Sequence, residues 1–123
     1  MKILIADDNE YIRELLNRMI EDAGYSWENA ENGKQCLDLL NQSTFDVLFL
    51  DLIMPVMDGE SVLKNIGNTL NKGIDVIIMS SQDDERAIEE VLKLGATAYL
   101  TKPLSIRVIQ DVLATLGSRI GKT

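Results

Sequence analysis

Histidine is missing altogether from the 123 residues. Its absence removes the Ser-His-Asp triad, the imidazole metal ligand and the phosphohistidine carrier together. Any chemistry must run on carboxylates, hydroxyls, lysine or a hard metal ion. Cysteine occurs once, at Cys36, so no internal disulfide can form. It lies in a helical pattern with Leu37 and Leu40, where it reads as a small buried hydrophobe and not as a reactive thiol. Basic residues are few, 12 against 20 acids, and a net charge of −8 repels phosphate backbones and anionic lipid. No basic helix that could read DNA is left over, so direct nucleic-acid binding is not expected. Nor is there an apolar run of about eighteen residues, the length of a membrane span. The opening MKILIADD is too short, and too soon acidic, for a signal-peptide core. The expectation is a soluble cytoplasmic chain without membrane insertion.

What the chain does have is a regular alternation. Apolar content of 46% over this length suits one domain, residues 1–123, with a single core. No linker, low-complexity tract or internal repeat divides it. Lys2 to Ala6 reads as a buried strand, and Ile12, Leu15, Leu16, Met19, Ile20 and Ala23 follow at helical spacing up to Gly24. Tyr25 to Ala30 is a weaker strand, and Cys36, Leu37 and Leu40 mark a short helix after the turn Glu31-Asn32-Gly33. Phe45 to Leu50 is the strongest strand signal. Val62, Leu63, Ile66 and Leu70 then predict a third helix, ended by Asn71-Lys72-Gly73 before a strand from Ile74 to Met79. Asp83 or Asp84 can cap a fourth helix with the stripe Ala87, Ile88, Val91 and Leu92, closed by Gly95. Thr97 to Thr101 makes a fifth strand. Pro103 stands near the start of a last helix carrying Ile106, Ile109, Val112, Leu113 and Leu116. Gly117 to Thr123 are small and polar, either a natural end or the start of a linker.

Five strands alternating with five helices in units this short make each helix a crossover between parallel strands, with helices on both faces of one sheet. In such open sheets ligands bind beyond the carboxyl ends of the strands. The stretch FDVLFLDLIMPVMDG, Phe45 to Gly59, ends its apolar run on a carboxylate, Asp51, at one of those ends. Asp51 there is either the place where a strand surfaces or a reactive group aimed into a crevice. The other ends supply Asp7-Asp8, Ser80-Ser81 and Lys102-Pro103. Three carboxylates about 5 Å apart repel one another by roughly 3 kcal/mol per pair at an effective dielectric near 20. A cation is needed if all are to stay ionised, and the all-oxygen donor set suits Mg²⁺, not Zn²⁺. A carboxylate beside Mg²⁺ and a lysine can attack a phosphoryl donor to give an aspartyl phosphate, to which a serine hydroxyl could then hydrogen-bond.

These pieces resemble the receiver domain of bacterial response regulators, in particular the single-domain chemotaxis type. The resemblance rests on Asp7-Asp8, on DLIMPVMDG from Asp51 to Gly59, on the hydroxyl at Ser80 and on GATAYLTKP from Gly95 to Pro103, in that order and at the family's spacing. It covers nearly the whole chain. It implies an α/β fold, a doubly wound (βα)5 domain whose five-stranded parallel sheet has the order 2-1-3-4-5. It further implies that Asp51 is the phosphoacceptor and that Asp8 binds the metal directly, with Asp7 acting through water. The Ile53 backbone carbonyl would complete the coordination, and Mn²⁺ could replace Mg²⁺. Lys102 would pair with the phosphoryl group, joined to Pro103 by a cis peptide. Ser80 would be the switch hydroxyl, Ser81 a small neighbour beside the phosphoryl group, and Tyr99 the switch aromatic. The phosphodonor would be a sensor histidine kinase or a histidine phosphotransfer protein. Output would pass to a downstream protein through the face of the fourth helix, fifth strand and fifth helix, including Arg86, Glu90, Lys93, Tyr99 and Arg107. The chain departs from the commoner pattern in having serine, without threonine's methyl, at position 80. Ile53 and Gln82 occupy positions where the family varies and where side chains govern how water reaches a phosphoaspartate.

Each piece also has a plainer meaning. Asp7 and Asp8 could be a helix N-cap and a first-turn acid. Lys102 alone could be a solvated lysine, Tyr99 an ordinary strand aromatic, and the output face a mixed-charge solvated surface. Asp58 before Gly59 reads as a helix cap, Met54 and Pro55 as loop-shaping residues, and the methionines as core filler. Among other functions, a phosphatase of the haloacid-dehalogenase type would need a second acid two residues after the nucleophile, where Ile53 stands. A flavodoxin would need a phosphate-cradling first loop, which Asp7-Asp8-Asn9-Glu10 would repel. An interaction module that works without phosphorylation is the remaining alternative.

Overall fold

Residues 1–120 are described by the structure, a computed structural model. Strands β1 (Lys2–Ala6), β2 (Ser26–Ala30), β3 (Val47–Asp51), β4 (Asp75–Ser80) and β5 (Ala98–Thr101) alternate with helices α1 (Glu10–Asp22), α2 (Gly33–Gln42), α3 (Gly59–Asn65), α4 (Glu85–Lys93) and α5 (Ile106–Ile120). All neighbouring strands pair in parallel, in the order β2-β1-β3-β4-β5. This is the α/β architecture that the alternation and the resemblance together led us to expect.

Because successive strand residues point to opposite faces, the sheet feeds two cores. Ile3, Ile5, Val47, Phe49, Ile77 and Met79 pack with Leu16 and Ile20 of α1 and with Ile109, Leu113 and Leu116 of α5. Leu4, Ala6, Leu48, Leu50, Val76 and Ile78 pack with residues of α2, α3 and α4, among them Leu40, Val62 and Val91. Cys36 is fully buried in this second core, and burial pushes its thiol up to about 12, which makes it the inert hydrophobe expected. Four helices start on side-chain caps, from Asn9, Asn32, Asp58 and Asp84, each accepting a hydrogen bond from a first-turn amide. Gly95 leaves α4 at φ 109°, a conformation that costs an L side chain.

Several expectations need correction. The cap of α1 is Asn9, so Asp7 and Asp8 are not spent on the helix start. The third helix stops at Asn65, passes through one 3-10 turn, Ile66–Asn68, and leaves Leu70 60% exposed. The cause is Asn71, whose buried side chain accepts from the Phe45 amide at 2.7 Å and donates to the carbonyls of Leu40 and Ser43 at 2.7 and 2.8 Å. Satisfying three backbone groups at the end of α2 and in the loop after it draws the chain away from the helical path. In α4 only Val91 is buried and Leu92 is exposed, because this helix covers the edge of the sheet and not its middle. Ile106 likewise points to solvent at the start of α5, and Pro103 lies three residues before that helix. Met54 does more than shape a loop, for it is buried in the second core. Residues 117 to 120 continue α5 and are not a linker, while residues 121–123 of that expectation lie outside the described residues. Among the described residues no helix is long and apolar enough to cross a membrane.

Candidate functional site

Strands β1 and β3 are neighbours, with Ala6 opposite Leu50. Asp7, one residue beyond β1, and Asp51, the last residue of β3, therefore emerge side by side at the carboxyl edge of the sheet. This is where the strand order reverses, β1 lying between β2 and β3. Asp7 is fully buried and Asp51 is 5% exposed, whereas Asp8 faces solvent. One carboxylate oxygen from each of the three lies within 4.8 Å of the others.

Lys102 enters this group from β5. Its ammonium is 2.9 Å from Asp7 Oδ2 and 3.3 Å from Asp51 Oδ2. The Lys102 amide donates to the Ser80 carbonyl at 2.7 Å, which continues the β4–β5 pairing and carries the side chain to the pocket. The peptide between Lys102 and Pro103 is cis, as the resemblance implied. The other oxygen of Asp7 accepts from the Asn9 amide at 2.9 Å, and Asp51 Oδ1 accepts from the Ile53 amide at 3.3 Å. Buried Ser80 stands one strand away, and its hydroxyl accepts from the Gln82 amide at 3.1 Å. Ser81 is exposed. Tyr99, on β5, donates its hydroxyl hydrogen to the Gln82 carbonyl. The loop after Ser80 thus touches both Ser80 and Tyr99. Ile53 exposes its side chain two residues beyond Asp51.

The electrostatics follow from burial. Desolvation raises the Asp51 carboxyl from its ordinary 3.8 to about 6, and the Asp7 carboxylate adds to the rise. Lys102 and the Ile53 amide pull the other way. Burial lowers the pKa of Lys102, but its hydrogen bond to Asp7 and the charges of Asp51 and Asp7 outweigh that, leaving it raised. Among the described residues one ammonium, that of Lys102, touches this cluster of three carboxylates, and it meets two of them. The pocket is short of positive charge, and its hard oxygen donors suit a divalent cation that keeps part of its water.

Two glycines that the sequence marks only as turn signals turn out to be close-approach positions. A Cβ on Gly59 would stand 2.2 Å from the Asp51 carbonyl oxygen, and one on Gly33 would stand 2.1 Å from the Met57 carbonyl oxygen. The start of α3 and the start of α2 are thus pressed against the Asp51 loop. Between them Val56 adopts φ 68°, with the Met57 amide donating to the Pro55 carbonyl at 2.7 Å. Nothing in a one-dimensional pattern distinguishes such a glycine from one that merely turns the chain.

The sequence profile of the response regulator receiver domain matches residues 3–114. The chain belongs to the response regulator receiver family. It is similar to sporulation initiation phosphotransferase F of Bacillus subtilis, 38% identical over 112 residues that cover 91% of this receiver and 90% of that protein. Among solved structures, the receiver domain of the Francisella response regulator 1452 superposes with a TM-score of 0.87 at 37% identity, covering 97% of this chain and 98% of that one. The receiver domain of the Pseudomonas aeruginosa sensor histidine kinase PA1611, solved with a magnesium ion in its active-site cleft, shares the fold at a TM-score of 0.84 and 24% identity. It covers 98% of both chains. A receiver is a phosphoacceptor of two-component signalling and not a turnover enzyme, which sets aside the phosphatase and flavodoxin alternatives. Its partners as a class are histidine kinases and phosphotransferases. A receiver is phosphorylated on an aspartate, and the acid pocket here, Asp7, Asp8 and Asp51, has the donors for a divalent cation.

Proposed function

We propose that Asp51 is the phosphoacceptor, in a receiver domain spanning residues 1–123, and that its phosphorylation switches the binding of a partner protein. The observation that carries this reading is the Lys102 ammonium shared between Asp7 and Asp51 at the end of a fully buried strand. A carboxylate so held is accessible only from the crevice and has a cation ready for an incoming phosphoryl oxygen. Asp51 would attack the phosphorus of a phosphohistidine on a sensor kinase or phosphotransfer protein. The phosphorus–nitrogen bond breaks, and the imidazole leaves and takes up a proton from solvent. Mg²⁺, or Mn²⁺ in its place, would offset charge on the transferring group, held by Asp8 and Asp51 directly, by Asp7 through water and by the Ile53 carbonyl.

Ser80 would then give its hydroxyl hydrogen to a phosphoryl oxygen, with Ser81 small enough to leave room beside it. Drawing Ser80 toward Asp51 disturbs the Gln82 amide that its oxygen now accepts from, and Gln82 also holds Tyr99. That chain of contacts supports Tyr99 as the element that reports phosphorylation to the surface of α4, β5 and α5, where Arg86, Glu90, Lys93 and Arg107 are exposed. The proposed setting is the cytoplasm. The likeness to a protein named a phosphotransferase favours a second route for the phosphoryl group, onward to a histidine of another protein.

Intact-mass spectrometry after incubation with a small phosphoryl donor tests the chemistry. A single phosphoryl adduct is expected on the wild type with Mg²⁺ and none on Asp51→Asn or in chelator. An adduct that survives Asp51→Asn would place the acceptor elsewhere. No adduct under any condition would leave a module that works without phosphorylation. Ser80→Ala should keep the adduct and lose most of the phosphorylation-dependent change in partner affinity.

A further inference from the structure

A second cation lies close to the acid pocket, on α1. Arg13 leaves only 12% of its side chain exposed. Its Nη1 donates to the Asp7 backbone carbonyl at 2.8 Å, and its Nη2 lies 3.6 Å from Glu31 Oε1. A planar guanidinium can serve two such directions at once, which a lysine ammonium on a flexible stem does less well. Arg13 is the top rung of a polar seam between α1 and the edge strand β2. Below it the side-chain amides of Asn17 and Asn29 exchange two hydrogen bonds of 2.8 Å, and Trp27 Nε1 donates to Glu21 at 2.7 Å. Positions 13, 17 and 21 thus meet 31, 29 and 27, a helical repeat of four set against a strand repeat of two. The seam fixes α1 against β2, and so fixes the backbone from which Arg13 reaches Asp7 and Glu31.

The carbonyl that Arg13 grips belongs to the peptide joining Asp7 to Asp8. Asp7 is fixed at three further points, by its own amide on the Ala30 carbonyl at 3.2 Å and by its carboxylate on the Asn9 amide and on Lys102. Asp8 is different, for among the described residues no donor holds its carboxylate. Its direction toward Asp7 and Asp51 is therefore set by the backbone, and Arg13 holds the peptide plane on which that direction depends. A freed Asp7–Asp8 peptide would let an exposed carboxylate turn away from two like charges.

We propose that Arg13 is a positioning residue for the divalent cation, holding the Asp7–Asp8 peptide so that Asp8 faces Asp51 before the ion arrives. The proposal rests on the metal-binding reading above. It is tested by titrating Mg²⁺ into the whole chain and following the amide resonances of Asp8 and Asn9, which needs no phosphorylation. Arg13→Ala should weaken Mg²⁺ binding about tenfold, as loss of a partner behind a metal ligand does. Arg13→Met, which keeps the aliphatic stem in its packing, should do the same and covers the case in which the alanine variant does not fold. Arg13→Lys, with charge and one donor retained, should fall between these and the wild type. Phosphorylation of the variants should slow at low Mg²⁺ and recover when Mg²⁺ is raised to saturation, which a general loss of stability would not produce. Wild-type Mg²⁺ affinity in Arg13→Met, or slowness that saturating Mg²⁺ does not relieve, would overturn the role of Arg13 alone. A wild type that binds no Mg²⁺ would overturn the metal-binding reading and this proposal with it.

Discussion

Replacing Asp51 by asparagine should make the metal-free protein more stable at neutral pH, although it removes one of the two carboxylates beside Lys102. The folded chain raises the Asp51 carboxyl from 3.8 to about 6, chiefly by burying it and secondarily by setting it beside Asp7. Between those two values the folded state holds a proton that the unfolded state has released. Stability from this group is fully present below about pH 4 and is lost as pH rises through about 6. A rise of about two units corresponds to at most about 3 kcal/mol. Asparagine never carries the charge, so the variant escapes the loss. Lys102 keeps its 2.9 Å contact with Asp7. Urea unfolding in chelator across this range is the assay. Asp51→Asn should match the wild type near pH 4 and exceed it by up to about 3 kcal/mol above pH 7. Mg²⁺ should close the gap by stabilising the wild type alone. A variant no more stable than the wild type above pH 7, or a gap that does not depend on pH, would show that the pocket does not strain its own acceptor.

Asn71→Ala should cost about 4 kcal/mol in urea unfolding, since it strands the buried Phe45 amide and Leu40 carbonyl, each worth about 1 to 3 kcal/mol when unpaired, and frees the part-buried Ser43 carbonyl. Asn71→Asp should not rescue it, because a carboxylate cannot donate to those carbonyls; a loss below about 1 kcal/mol would refute the staple. Gly59→Ala forces a methyl to within 2.2 Å of the Asp51 carbonyl, so the start of α3 must move. The expected result is a loss of about 2 kcal/mol together with slower phosphorylation of Asp51, and an unchanged phosphorylation rate would show that the site does not depend on this contact.

The strands, their parallel pairing and the four polar strand ends were legible in the residues alone. Apolar runs such as Phe45 to Leu50 and helical spacings such as that of Leu16 and Ile20 are local properties, written within a few residues of themselves. Crossover helices then leave every strand pointing the same way, so Asp7, Asp51, Ser80 and Lys102 had to reach one edge. The strand order came from family resemblance and not from periodicity. Only the tertiary structure decided which acid is buried and held. Asp7 and Lys102 meet across 95 positions because β1 and β5 end at the same edge, and no window along the chain contains both. The same holds for Asn71, whose three partners lie at the end of α2 and in the loop after it and end the third helix early, and for Gly59, whose missing Cβ matters only because Asp51 comes so near. Arg13 shows the limit most clearly. On the sequence it is one charged residue on an amphipathic helix six positions after Asp7, and its place between the Asp7 carbonyl and Glu31 exists only when α1 is laid against β2. Periodicity determines which face of an element is buried, whereas the chemistry of a site depends on which elements share an edge.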